Sequence, residues 1–122
     1  MIEKNISFDE FEKAVMYKMF EEKNRINEIL LRQYEMSSVF KREFSGGHFF
    51  TYFLIPENAP RVIEFVEHGY GDVIVRINGS DFDFGFVLFI EDGLISYLEG
   101  YGAGSWPETI QSYELHTFDY KI

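Results

Sequence analysis

The sequence contains no cysteine, only three prolines, one tryptophan and, from Ile77 through Tyr120, neither lysine nor arginine. Without cysteine there can be no disulfide framework, thiolate zinc site, iron–sulfur cluster or cysteine nucleophile, which fits a reducing compartment and makes the cytoplasm the expected location. No apolar stretch approaches the roughly 18 residues that a membrane helix needs. No basic segment leads into an apolar run with a small-residue cleavage site, so a soluble, non-exported protein without a membrane partner is expected. The shortage of clustered bases argues against direct binding to a nucleic-acid backbone.

What is present is acidic and aromatic. The chain has 122 residues, 46% of them hydrophobic and 19% aromatic, with 11 basic and 21 acidic side chains and a net charge of −10. Such a length and composition predict a single globular domain, residues 1–122. Division at Phe44 gives 8 basic and 9 acidic residues before the cut, and 3 and 12 after it. The excess therefore belongs to the second part, where Asp81, Asp83, Glu91, Asp92, Glu99, Glu108, Glu114 and Asp119 follow one another without a base. Several of these on one surface would speed encounter with a basic protein, although acidic surfaces also serve solubility alone.

Hydrophobic spacing orders the elements. Phe8, Phe11, Val15 and Met19 fall on one helical face between Ser7 and about Phe20, and Ser7 with Glu10 forms a capping-box pattern. A second helix is predicted from about Glu22 to Tyr34. Ser37 to Phe44 and His48 to Ile55 read as strands joined at Gly46-Gly47, and Pro56 and Pro60 bracket a loop. Val62 to Val66 is ambiguous between a short strand and a helical turn. Asp72 to Ile77, Phe84 to Ile90, Leu94 to Glu99 and Tyr113 to Tyr120 complete the strands, with Asn78-Gly79 predicting a type I′ hairpin and Gly100 to Pro107 a loop. The wholly apolar Phe84 to Ile90 suits the middle of a sheet. The expected fold class is α+β, with N-terminal helices packed on a mostly antiparallel β-sheet.

Catalytic signatures are sparse. Gly100 to Ser105 has neither the lysine nor the following helix of a phosphate-binding loop, and no serine lies in a nucleophile elbow. His48, His68 and His116 are scattered without metal-ligand spacing, so no metal, no cofactor and no enzymatic activity are expected. His48, after two glycines and before an aromatic strand, could still be exposed at a hairpin end. Asp81 and Asp83, two apart, would share one strand face, or else be solvated turn residues. Trp106 is either an interface anchor or a ring packed back on its own sheet.

Three blocks carry a resemblance. They are Arg42-Glu43-Phe44-Ser45-Gly46-Gly47-His48-Phe49-Phe50-Thr51 with Pro56 and Ala59-Pro60-Arg61, then Gly71-Asp72-Val73, then Gly85 to Gly93 continuing through Leu98-Glu99-Gly100-Tyr101 to Trp106-Pro107-Glu108. Over Arg42 to Glu108 the chain resembles a bacterial family of small, largely uncharacterised proteins, in which glycine is more frequent at the position of His48 and the loop before Trp106 is longer. By size, acidity and domain style it also resembles the immunity proteins of polymorphic-toxin and contact-dependent inhibition systems. That resemblance implies a protein that binds and neutralises a basic toxin domain, often a nuclease. The base-free acidic run and the aromatic residues beside it make Asp81, Asp83, Glu91, Asp92, Glu99, Tyr101, Trp106 and Glu108 the expected partner-binding residues. The alternatives are a small-molecule binder or hydrolase, with His48, Glu99 and Tyr101 lining a deep pocket, and a self-associating interaction module. Monomer and homodimer are both left open.

Overall fold

A computed structural model describes residues 5–64 and 69–117. The order is α1 (Phe8–Met19), α2 (Arg25–Met36), β1 (Ser38–Ser45), β2 (His48–Leu54), β3 (Val73–Ile77), β4 (Asp83–Glu91), β5 (Leu94–Gly102) and β6 (Tyr113–Thr117). The strands form one six-stranded sheet in the order β1-β2-β5-β4-β3-β6, every pairing antiparallel. The α+β class, with both helices on a sheet, is thus observed. No helix among the described residues is long and apolar enough to cross a membrane.

Local chemistry explains each boundary. The Ser7 hydroxyl accepts from the Glu10 amide at 3.1 Å, satisfying one of the free N–H groups at the start of α1, and Asp9 and Glu10 sit in the positively polarised first turn. The second helix begins at Arg25 rather than Glu22 because the Asn24 side chain caps it, accepting from the Asn27 amide at 2.8 Å. It also runs two residues past Tyr34, to Met36, where Ser37 turns extended.

The core lies between the helices and one face of the sheet. Phe11, Val15, Met16 and Met19 of α1 meet Phe49, Val75, Phe84, Phe86 and Leu88 in a single buried cluster. Trp106 belongs to it: its ring lies 4.1 Å from Phe84 and 4.8 Å from Phe49 between centroids, and its Nε1 donates to the Gly47 carbonyl at 3.1 Å. Burying so large a ring and satisfying its one donor takes Trp106 out of the exposed-anchor role.

Two turn expectations change. The type I′ hairpin falls at Asp92-Gly93, where both φ angles are positive (52° and 75°), and joins β4 to β5 directly. At Asn78-Gly79 only the glycine has positive φ, 90°, because Asn78 is held elsewhere: its amide donates to the Ser112 carbonyl at 3.0 Å. A longer connection, 78–82, therefore leads into β4, and Asp81 lies in it while Asp83 opens the strand. The two carboxylates do not share a strand face. Gly100 to Gly102 also continues β5 instead of starting a loop. Val62, Ile63 and Glu64 are neither strand nor helix, and Phe65, Val66, His68 and the end of the last predicted strand lie outside the described residues.

Candidate interaction face

Side chains alternate across a strand, so a face turned from the helices follows from the register. Phe49 meets Phe8 and Phe86 meets Phe11, both of α1, and Phe53 meets Tyr34 of α2. Their neighbours in sequence therefore point the other way, where no described helix covers them. On β2, β5 and β4 these neighbours align in three rows: His48, Tyr101 and Gly85; Phe50, Glu99 and Val87; Tyr52, Tyr97 and Phe89.

The rows make an aromatic plate centred on Tyr97. Phe89 stacks on it at 4.4 Å with 15° between planes, Tyr52 lies 5.5 Å away and Phe50 6.3 Å away. Rings at these separations interact through their quadrupoles and shield one another from water, so the plate stays half-buried without a partner. At the next row Tyr101 lies against Gly85.

Carboxylates border the plate. Glu99 stands in the middle row and Glu91 at the end of β4 beside Tyr97. Partial burial, followed by the charges of Glu91 and Glu99, holds the Tyr97 phenol above the usual tyrosine range. The two bases on this face are already tied. Lys41 Nζ lies 3.0 Å from Glu43 and sits 4.8 Å over the Tyr52 ring, and Arg76 Nε lies 2.9 Å from Asp83. The Arg76 hydrogen bond holds the Asp83 carboxyl below its ordinary range. His48 Nδ1 meets Glu99 Oε2 at 2.9 Å and its ring lies parallel to Phe50. The face keeps a net negative character around an apolar centre.

Of the residues singled out from sequence, Glu99, Tyr101, Glu91 and Asp83 lie on this face, spread along β4 and β5. Asp92 sits in the β4–β5 turn, Asp81 in the β3–β4 connection, and Glu108 in the segment between β5 and β6. Asp83 and Glu91 open and close β4, and eight steps of roughly 3.3 Å put them about 26 Å apart. The acidic run is consequently spread from one end of β4 to the other, with Glu99 at its middle, rather than gathered in one patch. Phe50, Tyr52, Phe89 and Tyr97 were not among the singled-out residues; their signal was the two-residue alternation of His48 to Leu54 matched against that of β4 and β5.

His48, Glu99 and Tyr101 are neighbours, but they lie along the surface of the sheet. A shallow hollow of about 260 Å³ is lined by Tyr101 with Asp83, Gly85 and Ile74, and neither His48 nor Glu99 reaches it. A cleft of about 600 Å³ is on the other side, between α1, α2 and β1. There Glu12 is buried against Arg42 at 2.9 Å and the Thr51 hydroxyl at 2.5 Å, and burial, with Glu12 beside it, pushes the Tyr34 phenol up to about 12. Among the described residues no three His, Asp or Glu side chains are placed to hold a metal ion.

Fold and face together define an α+β protein with one helix-covered and one aromatic, acid-bordered sheet surface. No family model matches the chain, and no curated protein or solved structure matches it significantly.

Proposed function

We propose that this protein acts by binding rather than catalysis, as an immunity protein that captures and neutralises a basic toxin domain on the open face of its sheet. The observation that carries this reading is the three-row grid on β2, β5 and β4, in which Tyr97 and its aromatic neighbours are bordered by Glu91 and Glu99. Aromatic side chains supply most of the energy at interface centres, and a surrounding negative potential accelerates capture of a cationic partner. A nuclease fits best, because an enzyme that holds phosphate must present clustered bases to it. The resemblance of type to immunity proteins supports the same reading, as does the net charge of −10.

The test is co-expression with the product of an adjacent toxin-like reading frame, where the gene has one. Growth should be rescued and the two chains should co-purify. Tyr97→Ala and Glu99→Lys should each lose rescue while the isolated variants keep a cooperative thermal transition. Undiminished rescue by both variants would move the interface off this face, and failure of the wild type to form any complex with that product would discard the immunity reading.

A further inference from the structure

Large exposed apolar side chains concentrate at one edge of the sheet. Val39, Phe40 and Phe44 of β1 are 42%, 62% and 58% exposed, and Leu54, directly opposite Ser38, is 54% exposed. Met36, two residues before β1, adds to the same border. β1 is also the outermost strand, so its outer N–H and C=O groups have no strand partner among the described residues. An eight-residue edge strand that exposes three apolar side chains and leaves its outer backbone groups free is a template for another strand.

The residue order along this edge says which strand. Reading outward from Arg42 in both directions gives Lys41 and Glu43, then Phe40 and Phe44. The pattern is self-complementary: positive answers negative and aromatic answers aromatic when the strand meets an antiparallel copy of itself. We propose that β1 pairs with β1 of a second copy of this chain about a two-fold axis through Arg42. Lys41, paired within its own chain with Glu43 at 3.0 Å, then also lies opposite the partner's Glu43, and Phe40 lies beside the partner's Phe44, each contact made twice by symmetry.

Two features fit this arrangement. Arg42 meets the partner's Arg42, but each guanidinium is already held by Glu12 at 2.9 Å and Asp9 at 2.7 Å, so bare cations do not face each other. The register break between Val39 and Lys41 leaves Phe40 without a partner on β2, so the regular ladder about Arg42 spans Lys41 to Glu43 and Phe40 flanks it. Because the axis stands perpendicular to the sheet, both helical layers fall on one side and both aromatic plates on the other. The dimer leaves the binding face free and does not depend on the proposed function.

Sedimentation velocity of the full chain, from micromolar to submillimolar concentration, tests it. The wild type should convert to a species of twice the 14.4 kDa chain mass. Lys41→Glu or Glu43→Lys alone should weaken self-association about tenfold, since each creates two like-charge pairs, whereas the double exchange should return it to within about threefold of wild type. Phe40→Asp should abolish the dimer with the thermal transition intact. A wild type that stays monomeric throughout, a dimer indifferent to both charge reversals, or one dissociated by Tyr97→Ala instead would overturn the proposal. So would protection of β1 amides from hydrogen exchange only in complex with a different protein.

Discussion

Glu12 is 3% exposed on the inner face of α1 and bound by both Arg42 and Thr51. A buried carboxylate is tolerable only while its charge is answered, and removing one partner of such a pair leaves the other stranded. Arg42→Met should therefore cost about 2–3 kcal/mol, somewhat under the full value for a buried pair because the Arg42 side chain is 22% exposed. Replacing both, Glu12→Met with Arg42→Met, should cost less than the single change, since no charge is left unanswered; urea denaturation of the three proteins measures the difference. Equal or greater loss in the double variant would mean that the pair itself stabilises the fold. None of this is legible in sequence, where Glu12 looks like one more polar position of an amphipathic helix. Gln33 is a parallel case: fully buried, it donates to the Pro60 and Gly93 carbonyls and accepts from the Ile95 amide, each at 2.8 Å. Such contacts join positions far apart in the chain, and no local pattern encodes them. Trp106 differs, because its composition-level signal is real but points equally to an interface and to a core.

At the scale of elements, the two Xaa-Gly turns separate local preference from tertiary constraint. Asn78-Gly79 has the stronger intrinsic hairpin signal, yet the bond from Asn78 to Ser112 fixes it in a different turn, and the tight hairpin forms at Asp92-Gly93. Both glycines have positive φ, so alanine at either is strained by about 1 kcal/mol. They differ in surroundings. A Cβ at Gly79 would meet open space, whereas at Gly93 it would lie 2.3 Å from the Val62 carbonyl oxygen, which accepts no displacement without moving that segment. Gly79→Ala should thus cost about 1 kcal/mol and Gly93→Ala about 3 kcal/mol or more. Chemical denaturation gives both values, and similar losses would show that the Val62 segment yields freely. The helices, the strands and the central place of β4 follow from spacing because one face of each element is buried. Element ends move by two or three residues where a single cap decides, as Asn24 does for α2.

For the molecule as a whole, the net charge of −10 and the aromatic plate have separable roles. Long-range attraction depends on the summed charge and little on where each carboxylate sits, while retention depends on the residues that lose water in the contact. The spread of the acidic run along β4 and into the connections at its ends makes the distinction measurable. Asp81 and Asp92 lie in connections outside the three rows, so Asp81→Lys with Asp92→Lys changes the charge by four units while leaving Tyr97, Glu91 and Glu99 in place. Against a basic partner, this variant should associate about tenfold more slowly at low salt, with dissociation nearly unchanged, and the gap should close as ionic strength shortens the screening length. Tyr97→Ala should do the reverse, leaving association within about threefold of wild type and raising dissociation at least tenfold. Stopped-flow association and surface-plasmon dissociation rates give both quantities. If the lysine variant instead altered mainly dissociation, Asp81 and Asp92 would lie in the contact itself, and the carboxylates of those connections, not the plate, would be the surface that holds the partner.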